Sequence, residues 1–263
     1  MQSSNNAIYI GRLAPSPTGD LHLGHASTFL TAWQRARQAR GRLILRIEDL
    51  DPLRCKPEFI QRIIEDLHSI GIDWDGEPIY QSHRRAHYLA AWRNLRDAGT
   101  IYPCHHSRRE IAASAPSAPH GDEPIFPIEL RADTALARDY ESPTGINWRF
   151  QVPDGEVVTF HDGRLGEVNK CAGKDFGDFL IWNRDDIPAY ELAVVVDDAE
   201  MGVTEIVRGE DLLTSTARQI LLHRALGTQM PVTWHCPLLR DEHGRRLAKR
   251  DAARSLRHLR KST

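Results

Sequence analysis

Two histidines, three positions apart, stand at the start of a segment that is predicted to be helical. His22 and His25 close the run GRLAPSPTGDLHLGH over residues 11–25, and a stretch of helical length follows over residues 26–40. The first turn of a helix offers amide groups and the positive end of the helix dipole, which together favour an anion. We therefore expect the two histidines and the helix start to bind phosphate.

The loop before these histidines is rich in residues that restrict or free the backbone. An apolar run over residues 7–10 predicts a strand that leads into the loop, so the segment is typical of a strand-to-helix crossover. Pro15 and Pro17 remove backbone freedom. Gly19 and Gly24 allow the main chain to approach a ligand closely, or to adopt dihedral angles closed to other residues. We expect a rigid loop beside the ligand.

A cationic run near the carboxyl end is the second candidate for phosphate chemistry. Residues 246–250 read RLAKR, and the last stretch of the chain holds many more basic than acidic side chains. A local positive surface of this kind suits the phosphates of ATP or RNA, and a solvated helix face is the alternative for the final turns. The basic residues are Arg240, Arg245, Arg246, Lys249, Arg250, Arg254, Arg257, Arg260 and Lys261.

The composition is that of a soluble globular protein. The chain has 263 residues and a formal net charge of −2, which excludes a uniformly cationic surface. No stretch is long and apolar enough for a membrane span, and residues 1–6 lack the apolar centre of a secretory signal, so we expect a cytoplasmic protein. Disulfides are not expected, because the cysteines are scattered. They are Cys55, Cys104, Cys171 and Cys236.

Segments of strand type alternate with segments of helix type, which predicts an α/β fold with a Rossmann-type parallel sheet. A buried strand over residues 42–48 ends in a group of carboxylates that includes Glu48, and such sheets bind ligands at the carboxyl ends of their strands. The alternation breaks over residues 105–144, which predicts a short inserted subdomain. The predicted parts are 1–103, the first half of the catalytic domain; 104–146, the insert; and 147–263, the second half.

Both candidate segments carry a family resemblance. His22-Leu23-Gly24-His25, preceded by Pro-Ser-Pro-Thr-Gly, resembles the HIGH signature of class I aminoacyl-tRNA synthetases in the spelling of the glutamyl and glutaminyl branch. Residues 246–250 are similar to the KMSKS loop of the same class. That resemblance makes Lys249 the second lysine of the loop, which contacts ATP phosphates. Arg246, Ala248 and Arg250 depart from the family pattern.

The resemblance implies a set of site residues and a reaction that uses ATP with Mg²⁺. The implied catalytic residues are His22, His25 and Lys249. The implied ATP-binding residues are His22, Gly24, His25, Arg246 and Lys249. The implied glutamate-binding residues are Arg12, Ala14, Ser16, Glu48, Tyr190 and Arg208. An arginine suits the side-chain carboxylate of glutamate, whereas its ammonium group needs carboxylates or hydroxyls.

Within the glutamyl branch the chain resembles the glutamyl-queuosine tRNA-Asp synthetases. The insert is short, the chain stops shortly after the KMSKS-like loop, and residues 194–198 and 202–209 are close to the wording of that family. The resemblance implies activation of glutamate by ATP without tRNA, followed by transfer to queuosine in the anticodon of tRNA-Asp. The acceptor is inferred from the missing anticodon-binding region. We expect a monomer without membrane association.

Two other functions and one metal site stay open at this point. The chain is alternatively the catalytic core of an ordinary glutamyl-tRNA synthetase, or a non-catalytic paralogue that binds tRNA or a nucleotide. The family often holds zinc in the insert, and here only Cys104 matches its pattern well, with His106 and His120 as weak further candidates. Because a structural zinc site normally needs four ligands, we expect an insert without metal.

Overall fold

The computed structural model describes residues 8–114, 125–239 and 256–257. The described helices are α1 (Leu23–Gln38), α2 (Pro57–Ser69), α3 (Arg85–Asp97), α4 (Arg108–Ser114), α5 (Tyr190–Glu200) and α6 (Leu213–Leu226). The described strands are β1 (Ile10–Leu13), β2 (Arg42–Ile47), β3 (Ile79–Tyr80), β4 (Ile101–Cys104), β5 (Asn147–Phe150), β6 (Val157–Asp162), β7 (Gly166–Cys171), β8 (Phe179–Trp182), β9 (Glu205–Gly209) and β10 (Val232–Cys236).

Two groups of strands meet along β1 and β9. In the first group β1, β2 and β3 are parallel neighbours in that order, and in the second the order is β7, β6, β10, β9, with β10 parallel to both β6 and β9. The amide of Thr204 donates to the carbonyl of Ile10 over 2.8 Å, which joins the two groups just before β9. Because β1 lies between β2 and β9, the chain order reverses here, which is where such sheets open a ligand crevice.

Helix α1 packs closely against the first group of strands because its buried face is made of small residues. Ala26, Ala32 and Ala36 are at most 5 % exposed. They share one core with the buried side chains of β1 and β2 and with Ile63 and Leu67 of α2. Pro57 occupies the start of α2, where a proline needs no amide partner. This packing fixes the start of α1 above the carboxyl end of β1.

A third, antiparallel sheet of β4, β5 and β8 covers the larger aromatic core. Trp92 of α3 meets Trp148 edge to face, with ring centroids 4.9 Å apart, and both are completely buried. The indole of Trp148 donates to the carbonyl of Pro143 over 3.0 Å, which satisfies its polar atom. The sheet joins strands from both sides of the predicted insert, and the domain division itself stays a prediction.

Some predicted elements differ from the structure in extent or pairing. The first strand runs from Ile10 to Leu13 rather than over residues 7–10, so Arg12 lies within a strand. The turn residues Pro153-Asp154-Gly155 predict that the strands on either side of them are joined as a pair. Both strands exist, but β5 pairs with β4 and β8, whereas β6 pairs with β7 and β10. Over the ranges that the structure describes, no helix combines the length and the apolar composition needed to cross a bilayer.

Candidate functional site

A cavity of about 930 Å³ opens where β1 and β9 meet. Its walls come from the crossover loop, the start of α1, the end of β9 and the residues after β10. The predicted site residues that line it are Arg12, Ala14, Ser16, His22, Gly24, His25, Glu48, Tyr190 and Arg208. The other two predicted residues, Arg246 and Lys249, lie outside the described residues.

His22 caps the start of α1 with its own side chain. Its Nδ1 atom accepts from the amide of Gly24 over 3.1 Å and from the amide of His25 over 3.3 Å. Two amides at the start of α1 therefore already donate to His22, and phosphate binding there stays a prediction. Because Nδ1 accepts twice, the neutral ring carries its proton on Nε2. The rings of His22 and His25 stack with centroids 3.6 Å apart.

Gly24 is needed because of this cap and not because of an unusual backbone angle. A Cβ atom at this position would lie 2.9 Å from Cε1 and 3.0 Å from Nδ1 of His22. Neither Gly24 nor Gly19 has a positive φ angle, so of the two roles suggested for these glycines the special dihedral angles are excluded, whereas close approach to a ligand stays a prediction. At Gly19 an added Cβ would meet no atom within 4 Å. Of these two glycines, only Gly24 has a neighbouring side chain that leaves no room for a Cβ atom.

A buried ionic network forms the floor of the site. Arg46 is 0 % exposed and donates from Nη1 to Asp198 over 2.5 Å, while its Nη2 lies 3.2 Å from Glu48. Arg12, 5 % exposed, donates to the carbonyl of Val207 over 3.1 Å, and its Nε lies 3.5 Å from Asp198. Asp198 therefore holds two arginines from neighbouring strands beside one wall of the cavity.

The network sets opposite pKa shifts on its members. Burial alone would lower the pKa of Arg46, but the carboxylates around it, Asp198 first, raise the pKa above its ordinary value. Burial lowers the pKa of Arg12, against the attraction of Asp198. Burial raises the pKa of Glu48, against the effect of Arg46. Asp198 keeps a lowered pKa, because its two arginines outweigh its burial.

Tyr190 begins α5 and faces the same cavity. The residue is 38 % exposed, and this surface opens on a cavity enclosed by Arg12, Glu48 and Arg208. The surrounding protein desolvates the phenolate and raises the pKa of Tyr190 to about 12, although the charge of Arg208 lowers it. Tyr190 therefore offers a neutral hydroxyl at ordinary pH, able both to donate and to accept a hydrogen bond.

Arg208 is a buried cation held by neutral partners. It is 4 % exposed, and its Nη1 donates to Gln219 over 2.8 Å and its Nη2 to Thr216 over 2.7 Å. Its Nε donates to Nε2 of His235 over 3.3 Å. Within the described residues it forms no ion pair with a carboxylate. A guanidinium has five N–H groups, so donors remain for an anion in the cavity.

The sequence interpretation missed the residues that hold the arginines in place. Four polar residues around Arg208 are not predicted from the sequence, because nothing in their local sequence distinguishes them from surface polar residues. They are Thr216, Gln219, His235 and Asp162. The sequence around Asp198 does indicate its burial, because three valines over residues 194–196 lead into Asp197 and Asp198. A carboxylate at the end of such an apolar run requires a buried partner.

The described chain returns to the cavity on both sides of the predicted KMSKS-like loop. Pro237, Leu238 and Leu239 line the cavity before the loop. After it, the amide of Leu256 donates to the carbonyl of Leu21 over 3.0 Å, and Leu21 is itself a lining residue. The Nε atom of Arg257 lies 3.0 Å from Asp66 of α2, and its Nη2 atom lies 2.6 Å from Glu65. The chain thus contacts the lining of the cavity both before and after the predicted loop.

The weak zinc candidates are not assembled by the described part of the fold. Cys104 is buried at the end of β4 in a cluster with Tyr102 and Phe126, and His106 is half-buried in the segment between β4 and α4. Across residues 8–114 and 125–239, no group of three or more potential ligand side chains is arranged around a metal position. His120 lies outside the described residues, and the metal-free insert stays a prediction.

The geometry brings together what a reaction between two anions requires. Arg12 and Arg208 carry positive charge into a protected cavity, Glu48 supplies a carboxylate for an ammonium group, and the positive end of α1 faces the same space. Positioning and neutralising charge are the main contributions that such a site can make. This arrangement suits an amino acid and a nucleotide triphosphate.

Comparison with known proteins identifies the family. The model of the class I tRNA synthetases (E and Q), catalytic domain, matches residues 10–261. A glutamyl-Q tRNA(Asp) synthetase of Nocardia farcinica is 46% identical over 94% of this chain and 77% of its own length. One of Chromobacterium violaceum is 44% identical over 96% of this chain and 85% of its own length.

Solved structures agree with this assignment. The glutamate-tRNA synthetase of Elizabethkingia anophelis has a TM-score of 0.80 and 30% identity over 93% of this chain. The glutamate tRNA ligase of Elizabethkingia meningosepticum, solved with its amino acid, has a TM-score of 0.79 and 29% identity over 93% of this chain. The chain spans about half the length of these ligases, 53% and 52%. It therefore belongs to the class I tRNA synthetases for E and Q, within the glutamyl-Q tRNA(Asp) synthetase family.

Proposed function

We propose that this chain activates glutamate with ATP and transfers the glutamyl group to queuosine in the anticodon of tRNA-Asp. One observation carries the proposal: the histidine-bearing start of α1 and the buried cation Arg208 line the same cavity. The relatives named glutamyl-Q tRNA(Asp) synthetase, which are 41% to 46% identical to this chain, support the choice of amino acid and acceptor.

In the first step an oxygen of the glutamate α-carboxylate attacks the α-phosphorus of ATP. An O–P bond forms, the bond to pyrophosphate breaks, and glutamyl-adenylate remains in the cavity. Arg12 and Arg208 bind and orient carboxylate groups, whereas Glu48 receives the ammonium group. The start of α1, with His22 and His25, meets the phosphates. We expect Mg²⁺ to enter the site bound to ATP. We assign to Lys249 the neutralisation of the negative charge that develops on pyrophosphate.

In the second step a hydroxyl of the queuosine cyclopentenediol attacks the activated carbonyl carbon. The new ester bond forms as the bond to AMP breaks. The hydroxyl proton leaves with the departing AMP or through solvent. The acceptor nucleoside must reach the adenylate through the opening of this cavity. We expect a cytoplasmic monomer, and light scattering after size-exclusion chromatography measures its mass.

The test has two stages that separate activation from transfer. Purified protein is first assayed for glutamate-dependent exchange of pyrophosphate into ATP without RNA, with aspartate and glutamine as control amino acids. Labelled glutamate, ATP and tRNA pools with and without queuosine are then combined. The proposal predicts exchange with glutamate alone and label in tRNA-Asp only when queuosine is present. A protein that exchanges pyrophosphate with none of these amino acids contradicts it.

The similarity to solved glutamate-tRNA ligases favours one second candidate, the catalytic core of an ordinary glutamyl-tRNA synthetase. The same experiment separates the two functions, because the ordinary enzyme charges tRNA-Glu at its terminal ribose. Label in tRNA-Glu with none in tRNA-Asp would support this second function. ATP binding without exchange or transfer would instead support a non-catalytic nucleotide-binding paralogue.

A further inference from the structure

Arg208 lies between two neutral side chains, each of which is hydrogen-bonded to a buried carboxylate. His235 accepts from Nε of Arg208, and its Nδ1 lies 2.6 Å from Oδ2 of Asp162. Gln219 accepts from Nη1 of Arg208, and its Nε2 donates to Glu191 over 2.8 Å. Each carboxylate is therefore separated from the arginine by one side chain instead of pairing with it directly.

Asp162 fixes which nitrogen of His235 carries the proton. The backbone amides of Arg164 and Leu165 donate to Oδ1 of Asp162 over 3.1 and 3.0 Å, whereas Oδ2 accepts from the backbone amide of His235 over 3.1 Å and contacts its ring Nδ1. Because the carboxylate only accepts, Nδ1 of His235 must donate, and Nε2 must then accept from Arg208. Asp162 and His235 are both completely buried, so water cannot substitute for either contact.

The ring stays neutral across the ordinary pH range. Burial and the charge of Arg208 lower the pKa of His235 to about 4, although Asp162 opposes this shift. Burial would raise the pKa of Asp162, but the hydrogen bonds from His235 and the turn amides lower it to about 2. A neutral acceptor thus faces Arg208, and the guanidinium keeps its full charge toward the cavity.

A carboxylate paired directly with Arg208 would compete with a substrate carboxylate for the same N–H groups. A neutral acceptor holds the guanidinium in one orientation without taking its charge, because it removes one donor only. Oγ1 of Thr216 also accepts from Nη2 of Arg208. The hydroxyl proton of Thr216 can be donated to the carbonyl of Leu212 or to Nε2 of His235, so it does not oppose this contact. The same arrangement recurs at Gln219 and Glu191 on the opposite side.

We propose that Asp162 is a positioning residue for substrate binding, which acts through His235 to hold Arg208 ready for a carboxylate of glutamate. This inference rests on the proposed function, because it assigns the anion that Arg208 meets. It predicts an effect on the KM for glutamate and little effect on the KM for ATP. A purely structural role would lower the amount of active enzyme without separating the two constants.

The first variant is Asp162→Asn. The two turn amides hold the Asn oxygen where Oδ1 lies now, so the Asn NH₂ group faces both Nδ1 and the backbone amide of His235. That group can only donate, and His235 must then carry its proton on Nε2, which lies 3.3 Å from Nε of Arg208 and 3.0 Å from Oγ1 of Thr216, so the ring no longer accepts from Arg208. In serine proteases an Asp→Asn change in the catalytic triad likewise leaves the histidine in the wrong tautomer. We expect the KM for glutamate to rise at least tenfold, with the KM for ATP within twofold of the original.

A matched control is Asp178→Asn, in another buried carboxylate. Asp178 is 3 % exposed and accepts from Tyr102 and Arg131, but it does not line the cavity. Thermal unfolding of both variants measures their stability. The control should lose stability and keep the original KM for glutamate. An equal rise of the KM for glutamate in both variants would overturn the proposal.

Two substitutions of His235 keep the proposal testable if Asp162→Asn does not fold. His235→Gln retains an acceptor for Arg208 and a donor for Asp162, whereas His235→Leu removes both. We expect the KM for glutamate of His235→Leu to exceed that of His235→Gln at least tenfold. Equal constants for the two variants would overturn the proposal.

The outcomes also separate this inference from the proposed function. The original protein is assayed first, and an absence of glutamate-dependent exchange contradicts the proposed function itself. Exchange by the original protein, with the KM for glutamate unchanged in folded Asp162→Asn, contradicts only the positioning role of Asp162.

Discussion

Replacing Gly24 with alanine tests whether the geometry of His22 matters for activity. The added Cβ would lie 2.9 Å from Cε1 of His22, which is closer than real Cβ contacts, and 3.0 Å from its Nδ1. The imidazole must therefore move away from the start of α1. Its movement breaks the hydrogen bonds from the amides of Gly24 and His25.

The free energy of unfolding should change little, because two effects oppose each other. Losing a side-chain cap costs about 0.5 to 2 kcal/mol. Replacing glycine with alanine within a helix returns up to about 1 kcal/mol. The net change is about 1 kcal/mol or less, and chemical denaturation measures it. Gly24→Ala should therefore stay folded under assay conditions.

Activity should fall much more than stability. If His22 donates one hydrogen bond to a phosphate in the transition state, losing that charge-assisted bond costs about 1.5 to 3 kcal/mol. This cost corresponds to a reduction of about 10- to 100-fold in kcat/KM for ATP. The assay is glutamate-dependent pyrophosphate exchange at several ATP concentrations.

Gly19→Ala is the matched comparison, because it adds the same methyl group five residues earlier, in the loop that leads into α1. Nothing lies within 4 Å of the added atom, so its loss of activity should be the smaller of the two. An original kcat/KM in Gly24→Ala, or equal losses in both variants, would refute the reasoning from the His22 contact.

Three further predictions follow from charge and burial. Arg46→Met removes the closer of the two arginine partners of Asp198, together with the partner of Glu48, and should lower the free energy of unfolding by about 3 to 5 kcal/mol, as urea denaturation would measure; an unchanged value would contradict the network. Lys249→Ala should lower kcat for pyrophosphate exchange at least about 100-fold while calorimetric glutamate binding persists, and retained exchange would contradict its assigned role. His223 and His235 have pKa values of about 4 in the folded state, so only the unfolded chain gains their protons as the pH falls below about 6.5. Stability should therefore be fully present above that pH and fall toward pH 4 by up to roughly 1.4 kcal/mol per pH unit for each histidine, and a flat profile in urea denaturation would contradict their neutral burial.

The sequence predicts the architecture well where periodicity is strong. The alternation of strands and helices led to a parallel sheet, and the structure together with its solved relatives confirms the α/β class. Helix α2 begins at Pro57, a start that the sequence itself favours, because proline is common in the first turn of a helix. Strand β7 is not predicted from the sequence, because GEVNKC shows little alternation of apolar and polar residues.

The candidate site was less predictable at the level of individual contacts. The apolar run before Arg12 suggested a strand that ended too early, because a charged residue inside a strand is unusual. Burial of Arg12 depends on Asp198 and the carbonyl of Val207, which lie nearly 200 positions further along the chain. The amides at the start of α1 looked available for phosphate, but His22 itself accepts from two of them. Local sequence does not encode such long-range or reciprocal pairing.

Under the proposed function, glutamate and ATP both occupy the cavity between β1 and β9. The most direct measurement is a crystal structure with glutamate and a non-hydrolysable ATP analogue bound together. We predict a carboxylate of glutamate within hydrogen-bonding distance of Arg208, and the triphosphate beside His22 and His25. Glutamate bound elsewhere, with Arg208 contacting only its protein partners, would contradict the claim.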